Sequence, residues 1–214
     1  MRRVSILLLS VIAYTATPAI AAPEANVRFG TRTVTASAFS PGAQILFFGV
    51  AKIPLTYYSR LQRFQFVTSA SSDGTATAQT DFDIPVTSVW VVADLRTGQV
   101  SIASPRPRGV ATVPVGRSAI RGNSDQFSFD RSFLDLLYVH AGEGAWVWHA
   151  ADGGDGDRDG PNGMTTVDAS RATRVAGAAV PSVFSPGGTL VAIDSEDLVV
   201  LTSDVQALLP GASR

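Results

Sequence analysis

Ser88-Val89-Trp90-Val91-Val92-Ala93-Asp94 holds five apolar residues in succession, three of them valines. Successive side chains of a strand point to opposite faces of its sheet. An apolar run without alternation therefore predicts a central strand covered on both sides. Downstream, Gln99-Val100-Ser101-Ile102 alternates, which predicts a strand with one wet face. Upstream, short β-prone runs recur from Arg32 onward: Thr33 to Ala38, Gln44 to Val50, Phe64 to Ser69 and Thr75 to Thr80. Ser40-Pro41-Gly42, Ser71-Ser72-Asp73-Gly74 and Arg96-Thr97-Gly98 punctuate them as turns. Strands at such intervals predict an all-β fold built as antiparallel sandwiches, with few or no helices.

Two prolines in Ser104-Pro105-Arg106-Pro107-Arg108-Gly109 suit an extended link and mark a candidate boundary. Beyond it the chain has its own β signals: Phe127 to Phe129, Phe133 to His140, Ala145 to Ala150, Thr165 to Asp168, Thr189 to Asp194 and Leu198 to Thr202. Phe133 to His140 also reads as a short helix, capped by Asp130 or Ser132 and ended by Gly142. Alternatively, Ala141-Gly142-Glu143-Gly144 is the loop of a hairpin that continues into Ala145-Trp146-Val147-Trp148-His149. Residues 110–205 thus form either a second β-rich domain or a continuation of the first fold.

Ala38-Phe39-Ser40-Pro41-Gly42-Ala43-Gln44-Ile45, the later Asp73-Gly74 and the strand end Asp94-Leu95-Arg96-Thr97-Gly98 resemble the immunoglobulin-like domains of bacterial surface and secreted proteins. The resemblance covers Arg32 to Ala103 and rests on turn chemistry. It implies a sandwich fold and a role in adhesion, spacing or ligand display. The segment Ile53 to Leu61, with Pro54, Tyr57 and Tyr58, departs from it as a longer insertion.

The chain opens with Met1-Arg2-Arg3, an apolar stretch from Val4 to Ala13, and Ala19-Ile20-Ala21, the order of a secretory signal cleaved after Ala21. That apolar stretch is too short to cross a hydrocarbon core of about 30 Å, and no longer one follows, so no membrane span is expected. Removing Arg2 and Arg3 from the 17 basic residues leaves 15 against 18 acids, a net charge of −3. Such a balance is no footprint for nucleic acid. With no cysteine, thiolate metal sites, disulfides and thiol nucleophiles are excluded. The expected setting is periplasmic or secreted, with a protein or glycan partner outside the cytoplasm.

One segment carries specific chemistry: Asp155, Asp157, Asp159 and Gly160 form D-x-D-x-D-G. This spacing turns alternate carboxylates of a curled loop toward one hard cation, and calcium is the candidate. Counting from Asp155, the twelfth position is Thr166, not the glutamate of an EF-hand. Asp152, Thr166 and Asp168 are candidate additional ligands. The competing reading is a solvated Asp/Gly turn holding no ion.

His140 and His149 invite a zinc reading with Glu143 and Asp152, but a hairpin pairing His140 with Ala145 separates the imidazoles too far to share one ion. No nucleophile elbow, zincin or phosphate-loop motif is present. Asp81/Asp83 and Glu196/Asp197 suit an edge or turn better than a pair of catalytic acids. Trp146 and Trp148 share one strand face, either as a sugar-stacking platform or as core. The sequence thus favours a non-catalytic binding or structural module, with an exported hydrolase assembled from distant residues as the alternative.

Overall fold

The computed structural model describes residues 22–56, 59–106, 112–114, 120–123, 126–129, 135–149, 165–168, 173–177, 188–194 and 199–204. Residues 1–21, where the secretory signal is expected, lie outside them. Among the described residues the chain is all-β, without a helix. The first seven strands are β1 (Glu24–Val27), β2 (Thr33–Ser37), β3 (Gln44–Pro54), β4 (Ser59–Ser69), β5 (Ala76–Gln79), β6 (Ser88–Asp94) and β7 (Val100–Ala103). After the proline link follow β8 (Thr112–Pro114), β9 (Ile120–Asn123), β10 (Gln126–Phe129), β11 (Asp135–His140) and β12 (Gly144–His149). The series ends with β13 (Thr165–Asp168), β14 (Thr173–Gly177), β15 (Gly188–Asp194) and β16 (Val199–Asp204). They form sheets of order β1-β2-β5, β4-β3-β6-β7, β14-β12-β11-β15-β16-β8 and β13-β10-β9. Pairing is antiparallel except between β16 and β8.

Every residue of β6 is buried, as its unbroken apolar run predicts. Its alternate side chains enter two different cores. Trp90 and Val92, with Ile45 and Phe47 of β3, meet Val34, Ala36, Ala76 and Ala78 of the β1-β2-β5 sheet. Val89, Val91 and Ala93, with Leu46, Phe48 and Val50, meet Leu137, Val139, Val147, Val191 and Ile193 of the six-stranded sheet. The β4-β3-β6-β7 sheet is therefore the middle layer of a sandwich-like stack, and its second core draws on residues from both sides of the proline link.

β7 corrects the one-wet-face expectation. All four of its residues are half-buried, because β1 lies across it and the Ala25 N–H donates to Ser101 Oγ at 3.2 Å. The expected insertion from Ile53 to Leu61 is largely the far end of a long hairpin: β3 and β4 pair continuously from Gln44 opposite Ser69 to Pro54 opposite Ser59. Phe133 to His140 contributes a strand and not a helix. In the β11–β12 hairpin His140 stands opposite Gly144, and His149 opposite Asp135. The loop is one residue shorter than expected, so each cross-strand pair moves by one.

Two glycines are fixed by close approach. Gly49 of β3 faces Trp90 in register, and a Cβ there would lie 2.5 Å from the indole ring. The ring occupies that notch between Phe64 and Phe82, at centroid distances of 5.5 and 6.4 Å, and its Nε1 donates to Ser88 Oγ at 3.0 Å. Gly74 has φ of +77°, and a Cβ there would meet the Phe39 carbonyl oxygen at 2.5 Å.

Beside Gly74, Asp73 closes its turn. Its Oδ1 accepts from Ser71 Oγ at 2.5 Å, Thr75 Oγ1 at 2.8 Å and the Thr75 N–H at 3.0 Å. These bonds favour the ionised form and hold the carboxyl at about 2, the Ser71 hydroxyl contributing most. A carboxyl depressed in the folded state stabilises above its unfolded value, and that contribution is lost as pH falls through the folded one. Asp73→Ala is expected to melt a few degrees below wild type at neutral pH. The gap should narrow as pH falls from the ordinary aspartate value of 3.8 toward about 2. Melting curves across that range check it; a gap unchanged at low pH would mean that the charge is not the cause.

Candidate functional site

A carboxylate inside an apolar layer must be paired or it will not stay ionised. Asp135, the first residue of β11, has no solvent exposure, and it lies where the middle and six-stranded sheets meet. Its Oδ1 accepts from Arg63 Nε of β4 at 2.7 Å and contacts His149 Nδ1 of β12 at 2.5 Å. Oδ2 is also buried and has no hydrogen-bond partner among the described residues. The cross-strand register positions His149 beside Asp135, whereas Arg63 arrives from 72 residues earlier in the chain.

The chemistry of the contact fixes the imidazole. An ionised carboxylate only accepts, so Nδ1 carries the proton and Nε2 of a neutral ring keeps its lone pair. The His149 side chain is 36% exposed while that of Asp135 is 0%. The ring lies near-parallel to Phe48, at 23° and a centroid distance of 6.2 Å. The result is a half-exposed base held by a buried acid. Arg63 draws on the same oxygen from the opposing sheet, with 18% of its side chain exposed.

At the other end of the same hairpin the two sheets touch again. The Gly142 N–H donates to the Leu95 carbonyl at 2.9 Å, and Thr189 Oγ1 to the Gly98 carbonyl at 3.4 Å. Asp94 is buried and braces that turn by accepting from the Arg96 and Thr97 N–H groups at 2.8 and 3.2 Å. Polar contacts thus join the layers at both ends of their shared core.

The residues expected from sequence fare differently. Asp152, Asp155, Asp157 and Asp159 lie outside the described residues, as do Tyr57, Tyr58, Glu196 and Asp197. Thr166 and Asp168 belong to β13, where their backbones pair with Ser128 and Gln126 of β10. Among the described residues no group of three or more histidines and acids is placed to hold a metal ion. His140 and His149 occupy opposite ends of the hairpin and have separate partners: His140 Nδ1 lies 3.3 Å from Glu143 Oε2, and His149 pairs with Asp135. Trp146 and Trp148 are core residues, opposite Tyr138 and Leu136, and offer no platform for a sugar. Asp83 makes an exposed ion pair with Arg32 at 2.7 Å, a turn-stabilising role.

Asp135 itself is absent from the sequence-derived candidates. Its signal is a single charge set in the apolar run Phe133-Leu134-Asp135-Leu136-Leu137. Among the described residues no helix is long and apolar enough to cross a membrane. No protein-family model matches the chain, and no curated protein matches it either.

Proposed function

We propose that the chain works outside the cytoplasm as a non-catalytic binding or structural module of the cell envelope or extracellular space, with a calcium-stabilised loop at residues 152–163. Its setting rests on the secretory pattern of residues 1–21. The order β1-β2-β5 against β4-β3-β6-β7 supports an immunoglobulin-like reading of the first seven strands. The observation that carries the module reading is the use made of the buried ion cluster of Arg63, Asp135 and His149. Arg63 neutralises the carboxylate that would otherwise be reserved for an imidazolium, and it does so across two sheets. This is the arrangement of a clamp.

Calcium is supported by the spacing of Asp155, Asp157 and Asp159 before Gly160. An ion bound only by the folded state stabilises it in proportion to the logarithm of its concentration once sites fill. Calorimetric titration of calcium into chelator-treated protein is expected to give binding heat and a raised melting temperature. Asp157→Ala should lose both while keeping the ion-free melt. Absence of heat and shift at millimolar calcium would leave the loop a solvated turn.

One observation favours the second reading, an exported hydrolase. A buried carboxylate that fixes the Nδ1–H tautomer of a half-exposed histidine is the orienting half of a general-base pair. Steady turnover of a nitrophenyl ester or glycoside, abolished by His149→Ala, would replace the module by that enzyme.

A further inference from the structure

An exposed strand edge offers unpaired backbone groups to any extended chain that reaches it, and proteins normally blunt such edges with shortness, proline or bulges. Among the described residues, seven of the eight edge strands are three to five residues long: β1, β5, β7, β8, β9, β13 and β14. The eighth, β4, runs for 11 residues. It has no proline, and it pairs with β3 without a break in register.

The direction of its free groups follows from the neighbouring bonds. Ala70 N–H donates to the Ala43 carbonyl and Lys52 N–H to the Thr87 carbonyl, both at 2.8 Å. In an antiparallel ladder these directions alternate. Even-numbered residues of β4 therefore bond β3, and Leu61, Gln65 and Val67 turn their N–H and C=O groups outward. No backbone bond to those three groups occurs among the described residues.

The side chains select the occupant. β4 carries Arg60 and Arg63 and no acid, and Lys52 of β3 stands opposite Leu61. On the face away from the six-stranded sheet, Phe66 is 43% exposed beside Phe64, at a centroid distance of 6.4 Å. A second copy of the chain would bring basic strand against basic strand. We propose that β4 takes up an extended acidic segment of a partner protein by strand addition, its acids near Arg60 and Lys52 and its apolar residues against Phe64 and Phe66. This deepens the module reading and rests on it.

The probe is a capped peptide of about ten residues with four glutamates in succession at one end, for both faces beside Arg60 and Lys52, and valine alternating with threonine over the rest, with lysines in place of the glutamates as control. Added to the full chain at about 1 mM, a concentration that detects weak binding, the acidic peptide is expected to slow amide exchange at Leu61, Gln65 and Val67 about tenfold. Even-numbered positions should be unchanged and the effect should weaken with salt. Gln65→Pro removes one outward donor that β3 does not use, and proline is tolerated on an edge. That variant is expected to keep the melt and lose the protection, while Arg60→Glu weakens it. No protection with the acidic peptide, equal protection with the lysine peptide, or protection that grows with protein concentration alone would each overturn the proposal. Failure here without ester or glycoside turnover leaves the module reading standing, whereas turnover lost in His149→Ala removes that reading whatever the peptide does.

Discussion

Residues 22–104 expressed alone are expected to stay unfolded or to aggregate, although they contain seven strands and two complete sheets. The reason lies in the core shared by the middle and six-stranded sheets. Seven of its thirteen buried residues precede the proline link: Leu46, Phe48, Val50, Val89, Val91, Ala93 and Leu95. Cutting the chain there uncovers all seven. For the six larger than alanine, at about 1.5–3 kcal/mol per fully buried aliphatic or aromatic side chain, the loss is roughly 9–18 kcal/mol. That equals or exceeds the whole net stability of an ordinary domain, about 5–15 kcal/mol. Compactness of the unfolded chain reduces the loss but does not reverse the comparison. The fragment should show poor amide dispersion by NMR and no cooperative melt, and mixing it with residues 105–214 should restore both. A fragment that melts cooperatively at the full-length temperature would show that the first seven strands need no third layer.

Asp135→Ala is expected to cost about 3–5 kcal/mol, because it removes the fully buried carboxylate that Arg63 Nε and His149 Nδ1 share and breaks both contacts in a layer water does not reach. For a chain of this size that corresponds to a fall of roughly 6–20 °C in melting temperature. The joint variant Arg63→Met, Asp135→Leu, His149→Phe tests why the charges are there. Apolar residues of similar volume remove the desolvation cost together with the attraction, so this variant should melt near or above wild type. If the single substitution costs under about 1 kcal/mol, the pair behaves as a surface ion pair and does not clamp the layers. If the joint variant is stable and retains partner binding, the cluster serves architecture alone.

Local pattern made much of this architecture legible. Ser88 to Asp94 and Thr165 to Asp168 have the bounds read from their residues, and the turns at Gly42, Gly74 and Gly98 have the positive φ that their glycines advertise. β1 and β14 escaped notice, since Glu24-Ala25-Asn26-Val27 and Thr173-Arg174-Val175-Ala176-Gly177 are short and mixed in polarity. Their β conformation comes from neighbours. The wet face expected for β7 failed for the same reason: Ser101 is polar, but β1 supplies its partner. The cluster at Asp135 was the least legible part. A one-residue error in the hairpin register placed Leu136 opposite His149, hiding the carboxylate, and no local rule links Arg63 to a strand 72 residues away.

The Gly49 notch has a consequence for how the strands find one another. In a sheet with one wet face, a slip of one residue turns apolar groups into water, so alignment is enforced by hydrophobicity itself. β3 and β6 lack that safeguard, because both faces of both strands are apolar, and shifted pairings keep most of the burial. Such near-degenerate alignments are the ordinary source of kinetic traps during folding. The indole of Trp90 breaks the degeneracy. A slip of two residues preserves every face, yet it sets the ring against Phe47 or Ala51 in place of the one position with room for it. A single hydrogen, where every neighbour along β3 carries a side chain, is the mark by which the two strands recognise their native alignment.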